Sequence, residues 1–151
     1  MKSLGIRIYE HPQAKKCQLA EGLLNSIHLL FEDSLTAGVH LDIFKGFDRI
    51  FTVLVADDLP ENLVLIRDIL ESPRCRVLLA RNGKQALDLA LEHQPDLVLL
   101  DVMMPELNGY QVCRELKANR DTQLIPVVMI TALTDLGDKI RGIEAGADDF
   151  L

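Results

Sequence analysis

Cysteine is scarce in this sequence, and its spacing gives no sign of a metal site or a disulfide framework. The three cysteines, Cys17, Cys75 and Cys113, stand far apart, with no C-x-x-C pair and no histidine at metal-ligand spacing. A disulfide-stabilised secreted domain and a zinc finger both need such clusters. Both classes are therefore excluded, and we expect a reducing compartment.

Long apolar runs and signal-peptide patterns are also missing. No stretch approaches the roughly 18 apolar residues of a membrane span, and the chain does not begin with a basic segment, an apolar core and a small-residue cleavage site. The 9 glycines and 6 prolines are too few for a collagen-like or low-complexity chain. We expect a soluble cytoplasmic protein that does not bind membranes.

Basic residues are outnumbered, which argues against direct binding to nucleic acid or anionic lipid. Lys and Arg number 16 against 23 Asp and Glu, a formal charge of -7 over 151 residues. Residues 1–50 carry six of each sign, so the whole acidic excess lies in residues 51–151. Surfaces that neutralise phosphate groups need the opposite balance. The 48% of hydrophobic residues is enough to build a packed core.

From Phe51 onward, short apolar runs alternate with amphipathic stretches, the pattern of repeated strand–helix units. Strands are predicted at Phe51–Ala56, Arg76–Ala80, Asp96–Leu100, Ile125–Ile130 and Ala147–Leu151. Helices are predicted at Pro60–Glu71, from the cap residue Asn82 to His93, and at Leu136–Glu144. A further helix, which carries Val112, Cys113 and Leu116, is predicted after the loop at Asn108–Gly109. The side of the second helix that we expect to be buried holds Ala86, Leu87, Ala90 and Leu91. Parallel strands joined by helices form a sheet covered on both faces, so residues 51–151 are predicted to be an α/β domain.

Residues 1–50 do not share this alternation and are predicted to form a separate N-terminal extension. The segment 14–35 has apolar residues at three- to four-residue spacing, which is typical of an amphipathic helix. The residues up to Asp48, with two glycines, are expected to be a connector. We expect the helix either to cover part of the sheet, within one chain or by exchange in a homodimer, or to belong to an upstream signalling segment.

Acidic side chains directly follow two of the predicted strands. Asp57 and Asp58 come after the first strand, and Asp101 comes after the third. The carboxyl ends of parallel strands meet at one edge of the sheet, where open α/β sheets bind ligands. Two carboxylates 4 Å apart repel by roughly 4 kcal/mol at an effective dielectric constant of about 20, so the cluster needs a cation. Oxygen ligands with open positions suit Mg²⁺, and the cluster predicts a metal-assisted phosphoryl-transfer site.

A hydroxyl at the end of the fourth strand would join this edge. Thr131 follows Ile130 and precedes the small Ala132, so its side chain could bind a phosphoryl oxygen. Taken singly, an Asp-Asp pair after a strand is more often a solvated turn or a helix N-cap than part of a site. An aspartate before a loop with Pro and Gly, or a threonine at a strand end, is at least as often a structural residue. The joint placement on three strands is what favours a site.

Five segments together resemble the receiver domain of two-component response regulators. They are Val55–Asp58, Asp96–Pro105, Asn108–Gly109, Pro126–Ala132 and Gly146–Phe150. The resemblance covers Thr52–Leu151, about two-thirds of the chain. It implies a flavodoxin-like, doubly wound parallel sheet of order 2-1-3-4-5.

The resemblance also implies roles for individual residues. Asp101 would accept a phosphoryl group from the phosphohistidine of a histidine kinase or phosphotransfer protein. Asp57, Asp58 and Asp101 would hold Mg²⁺ with help from the Met103 carbonyl. Thr131 would act as a switch residue that hydrogen-bonds the phosphoryl group.

Phe150 would be the aromatic partner of this switch, able to rotate when the threonine moves. Such a module signals to a partner or an output domain and is not an enzyme. The segments Asp58–Asn62 and Thr131–Asp135 are similar to receivers that precede diguanylate cyclase domains.

The family pattern continues past the end of this sequence. Its lysine, three positions after the switch aromatic, and its last helix would both fall beyond Leu151. A pseudo-receiver, which keeps the fold as an interaction module and takes no phosphate, is therefore a second hypothesis. A phosphohydrolase with an aspartyl nucleophile is a third, although such enzymes generally place an acid two residues after the nucleophile, where Met103 stands.

Overall fold

The structure, a computed structural model, describes residues 49–130 and 136–150. The predicted helix at 14–35, the connector after it, Thr131 and Leu151 lie outside the described residues. All of the described strands and helices belong to the unit Ile50–Leu151.

Strands and helices alternate along this unit as the hydrophobic pattern predicts. The strands are β1 (Phe51–Ala56), β2 (Cys75–Ala80), β3 (Leu97–Asp101), β4 (Val127–Ile130) and β5 (Asp149–Phe150). The helices are α1 (Pro60–Leu70), α2 (Gly83–His93), α3 (Gly109–Ala118) and α4 (Leu136–Glu144). All strands pair in parallel, in the order β2-β1-β3-β4-β5. The flavodoxin-like fold is confirmed, and among the described residues no helix follows β5.

The three central strands are buried on both faces. This burial fixes the register of each strand and therefore the level in the sheet at which the strand ends. On one face, the side chains packed between the sheet and the helices α2 and α3 include Leu54, Val98, Leu100, Val127 and Met129. On the other face, Val53, Val55, Leu97, Leu99 and Val128 are at most 1% exposed. Shifting any strand by one residue would turn its apolar side chains to the wrong face, so the register is strongly specified.

The burial predicted for one helical residue is wrong. Leu91 is 45% exposed, whereas Ala86 and Ala90 are fully buried. Successive residues of a helix are about 100° apart around its axis, so Leu91 lies to one side of the stripe that contains Ala86 and Ala90. The helical period alone places Leu91 near this stripe but does not fix its width.

The last strand begins two residues later than predicted. Gly146 has a φ of +93°, and the amide of Ala147 donates to the Gly142 carbonyl at 3.0 Å. This left-handed glycine ends α4 in the usual way for a helix C-terminus. Ala147 therefore belongs to the end of the helix, and β5 starts at Asp149.

The N-termini of α2 and α3 are capped by asparagine side chains. Asn82 Oδ1 accepts a hydrogen bond from the Gln85 amide at 2.8 Å. Asn108 Oδ1 accepts from the Gln111 amide at 3.0 Å, and Gln111 Oε1 accepts from the Asn108 amide at 2.9 Å, which completes a capping box. The N-cap of α1 is Leu59, which has no side-chain cap.

A charged contact connects the end of α3 with the beginnings of β4 and β5. Lys117 Nζ donates to the Ile125 carbonyl and to Asp148 Oδ2, each at 2.8 Å. The same Asp148 oxygen accepts from the Val127 amide at 2.8 Å. Because the lysine side chain is only 20% exposed, this contact is screened less than a surface ion pair.

Apolar side chains are exposed along one side of α4. Leu136, Ile140 and Ile143 lie on the same side, as their spacing predicts, and are 70%, 47% and 65% exposed.

This apolar stripe on α4 is not a membrane-spanning segment. None of the helices in the described ranges combines the length and the hydropathy that crossing a bilayer requires.

Backbone strain at Glu106 predicts a stabilising substitution. Glu106 has a φ of +67°, a left-handed conformation that costs a residue with a Cβ about 1–2 kcal/mol. Glycine removes this cost, but its greater conformational freedom stabilises the unfolded chain by about 0.5–1 kcal/mol. Glu106→Gly should therefore raise the free energy of unfolding by about 0.5–1 kcal/mol in urea titrations. Glu106→Ala keeps the Cβ, and an equal gain for alanine would contradict this explanation.

Candidate functional site

The three predicted acidic residues meet at the carboxyl edge of the sheet. Ala56 pairs with Leu100, so Asp57 and Asp101 leave the neighbouring strands β1 and β3 at the same level. One carboxylate oxygen from each of Asp57, Asp58 and Asp101 lies within 4.8 Å of the other two. Across residues 49–130 and 136–150, this is the single group of three or more side chains able to hold a metal ion.

The three carboxylates differ in burial, and this difference gives them unequal electrostatic environments. Asp57 is 3% exposed, Asp101 is half-buried, and Asp58 is exposed. Burial and the nearby charge of Asp57 raise the pKa of Asp101 to about 6, although hydrogen bonds from backbone amides oppose the shift. In the absence of a cation, the Asp101 carboxyl therefore holds its proton to an unusually high pH.

Both oxygens of the Asp57 carboxylate accept hydrogen bonds from the chain. The Leu59 amide donates to Oδ1 at 2.8 Å, and the Asn62 side-chain amide donates to Oδ2 at 3.0 Å. Asn62 lies in the first turn of α1, and sequence reasoning gave it no role. Its position, one helical turn into a helix that begins just after an Asp-Asp pair, is the signal that could have identified it.

Asp101 is held at the point where β3 meets the loop that leads to α3. The Met103 amide donates to Asp101 Oδ1 at 3.3 Å, which places this residue beside the carboxylate, with its side chain 67% exposed. The Gly109 amide donates to the Val102 carbonyl at 3.0 Å. A Cβ at Gly109 would collide with the backbone carbonyl of Asp101, so only glycine lets α3 begin this close to the strand. The role of the Met103 carbonyl stays a prediction.

Phe150 lies in β5, away from the carboxylates, and its ring packs on α4. The strand pairs Phe150 with Met129 of β4, and the side chain is half-buried. The ring lies directly over Gly142, where a Cβ would overlap ring atoms. Thr131, the other predicted member of the switch, lies outside the described residues.

The acidic residues fit a small divalent cation. Mg²⁺ binds oxygen ligands at about 2.1 Å and usually keeps several waters, so two of its ligands are at most about 4.2 Å apart. Oxygens within 4.8 Å of one another are on the scale at which one such ion reaches them, directly or through a bound water. The clustered negative charge also favours a cation over any neutral ligand.

Comparison with known proteins identifies relatives of residues 53–151. A family model described as the response regulator receiver domain matches these residues. The chain is 48% identical over 99 residues to the response regulator PleD of Caulobacter vibrioides, covering 66% of this chain and 22% of PleD. It is 37% identical over 100 residues to the polar-differentiation response regulator DivK of Brucella anthropi, covering 66% of this chain and 81% of DivK. The chain thus spans less than a quarter of the length of PleD.

Solved structures show the same fold. The receiver domain of the sensor histidine kinase PA1611 from Pseudomonas aeruginosa PAO1 is 32% identical, with a TM-score of 0.63, over 68% of this chain and 84% of that one. That structure has a magnesium ion coordinated in its active-site cleft. The chemotaxis protein CheY4 of Vibrio cholerae is 25% identical, with a TM-score of 0.65, over 68% and 85% of the two chains.

The raised pKa of Asp101 predicts a pH-dependent effect of Asp101→Asn on the metal-free protein. The pKa of Asp101 is higher in the folded state than in the unfolded state, so the ionised carboxylate destabilises the fold. This destabilisation is complete above about pH 6 and is absent below the unfolded-state pKa near 3.8. Asp101→Asn should therefore raise the free energy of unfolding at pH 8 but leave it nearly unchanged at pH 4. Urea unfolding in a metal chelator measures this difference. Equal effects at both pH values, or a gain also for the exposed control Asp88→Asn, would contradict it.

The contact between Phe150 and Gly142 predicts coupled substitutions. In Gly142→Ala the new methyl group overlaps the ring, and overpacking of this kind lowers the free energy of unfolding by about 1–3 kcal/mol. The higher helix propensity of alanine offsets about 0.5–1 kcal/mol of this loss. We expect Gly142→Ala to destabilise the wild type by about 1 kcal/mol and to stabilise a Phe150→Ala background. A double-mutant cycle of urea unfolding tests this, and additive effects would contradict it.

Proposed function

The chain belongs to the response regulator receiver domain family, and we propose that it accepts a phosphoryl group on Asp101 in a Mg²⁺-dependent reaction. The observation that carries this proposal is the cluster of three carboxylate oxygens within 4.8 Å at the carboxyl edge of the sheet. Two of the three side chains are at least half-buried there, so the negative charge is concentrated in one place. Positive charge in the midst of such an arrangement relieves the repulsion among the carboxylates, which favours the binding of a cation there.

In the proposed reaction, a carboxylate oxygen of Asp101 attacks the phosphorus of a phosphohistidine. The bond from this oxygen to phosphorus forms as the bond from phosphorus to the imidazole nitrogen breaks. The electron pair of the broken bond stays on the imidazole, which takes a proton from solvent. The product on this chain is an acyl phosphate at Asp101, and the reaction depends chiefly on in-line positioning and charge stabilisation.

We propose that Asp57, Asp58, Asp101 and the Met103 carbonyl hold the metal ion. Bound Mg²⁺ supplies positive charge that offsets the charge on the equatorial phosphoryl oxygens. The Asp57 carboxylate is buried, and the Leu59 amide and the Asn62 side chain each hold one of its oxygens. Asp58 is exposed, so this side of the proposed metal site is open to solvent.

The signal proposed to follow phosphorylation uses Thr131 and Phe150. A hydrogen bond from the Thr131 hydroxyl to the phosphoryl group would draw the threonine toward Asp101 and leave space for the Phe150 ring. The ring is packed over Gly142 at the surface between β5 and α4, so a change of rotamer there alters a face that a partner can bind.

The partners proposed for this module are a histidine kinase or a phosphotransfer protein upstream and an output domain downstream. The likeness of Asp58–Asn62 to receivers that precede diguanylate cyclase domains favours an output domain of that class. These partners are consistent with the proposed cytoplasmic location. The division into an extension at 1–50 and a receiver at 51–151, and a homodimer formed through the helix at 14–35, stay predictions.

Intact-mass spectrometry after incubation with Mg²⁺ and a small acyl-phosphate donor tests the function. We expect the wild-type chain to gain the mass of one phosphoryl group. Asp101→Asn should abolish the gain, because an amide oxygen does not provide the carboxylate nucleophile. Asp88→Asn, which removes an exposed carboxylate on α2, should leave the gain unchanged.

Two other outcomes would contradict the proposal. Binding of Mg²⁺ without any gain of mass would indicate a pseudo-receiver that serves only as an interaction module. Consumption of many donor molecules per chain would indicate a phosphohydrolase.

A further inference from the structure

We propose that Asn62 is a positioning residue for the metal site, holding the Asp57 carboxylate in place before a cation binds. The inference rests on the proposed Mg²⁺-dependent function and extends it to a residue of α1. It is carried by the 3.0 Å hydrogen bond from Asn62 Nδ2 to Asp57 Oδ2.

The position of Asn62 in α1 explains how its side chain reaches the site. Asn62 is the third residue of the helix, after Pro60 and Glu61, and helical side chains tilt toward the helix N-terminus. Its own amide donates to the Leu59 carbonyl at 3.1 Å, which fixes the backbone of this turn. The side-chain amide is therefore directed back toward the end of β1, where Asp57 lies.

The two hydrogen bonds to Asp57 act on different oxygens. The Leu59 amide holds Oδ1, and Asn62 holds Oδ2, so rotation of the carboxylate would break both bonds. Without such restraint, repulsion between the two negative charges would turn Asp57 away from Asp101. The restraint keeps the carboxylates together, so a cation does not have to reorganise them on binding.

An asparagine is chemically suited to this task. Its amide donates a hydrogen bond but carries no charge, so it neither adds to the repulsion nor competes with the cation. An aspartate would add a fourth carboxylate and no donor. A lysine would supply positive charge that opposes the binding of a divalent cation.

Gln85 of α2 provides a matched control. It occupies the third position of its helix, as Asn62 does in α1, and its side-chain amide also bonds upstream, with Oε1 accepting from the Arg81 amide at 2.7 Å. The bond involves no carboxylate of the site. Gln85→Ala therefore removes a comparable helix-terminal hydrogen bond without affecting the position of Asp57.

Isothermal titration of the 151-residue chain with Mg²⁺ alone at about pH 8 tests the proposal. Outer residues that orient metal ligands typically change affinity by 10–100-fold, and we expect Asn62→Ala to raise the Kd for Mg²⁺ about tenfold. Gln85→Ala should leave the Kd unchanged. Asn62→Leu, which keeps the branched shape but lacks the donor, should weaken binding as alanine does. Asn62→Gln, which keeps the donor, should retain most of the wild-type affinity for Mg²⁺.

The outcomes separate this inference from the function on which it rests. Thermal unfolding of each variant identifies the folded ones, and the Leu and Gln variants carry the test if Ala does not fold. Unchanged Mg²⁺ affinity in folded Asn62→Ala or Asn62→Leu would overturn the positioning role and leave the proposed function intact. Absence of Mg²⁺ binding by the wild-type chain would overturn both. Equal weakening by Gln85→Ala would assign the effect to the helix ends in general.

Discussion

Repulsion among the carboxylates of Asp57, Asp58 and Asp101 is the constraint that organises the rest of the structure. Left to themselves in water, three acidic side chains would separate. Here the parallel register of β1 and β3 delivers two of them to the same height, and the burial of the strands prevents either from slipping. Hydrogen bonds from α1 and from the loop after β3 then hold Asp57 and Asp101 individually. The fold thus holds the three carboxylates close together although their mutual repulsion opposes this.

Much of this arrangement could be read from the sequence. The alternation of apolar runs with amphipathic stretches predicted all five strands and four helices, because a parallel sheet covered on both faces requires continuous apolar strands. The meeting of Asp57 with Asp101 followed from their places at the ends of the first and third strands. Both predictions depend on periodicity and on chain order, which are properties of the sequence itself.

Other features depend on distances that a pattern does not contain. The exposure of Leu91 reflects the width of the buried stripe on α2, where Ala86 and Ala90 are fully buried and Leu91 lies to one side of them. The late start of β5 reflects the left-handed backbone at Gly146. The hydrogen bond from Asn62 to Asp57 depends on how the first turn of α1 is placed relative to β1, and the sequence alone does not distinguish Asn62 from other polar residues.

The contact of Lys117 with Asp148 restrains the start of β5, the strand that contains Phe150. Only two residues form β5, so the backbone ladder gives this strand little attachment of its own. The charged contact, together with the Val127 amide, anchors the chain immediately before the strand, at the opposite end of the sheet from the carboxylates. One end of the segment is therefore fixed while the other carries the aromatic ring. The rotation proposed for the Phe150 ring would therefore leave the start of the strand in place and be confined to that side chain and its immediate neighbours.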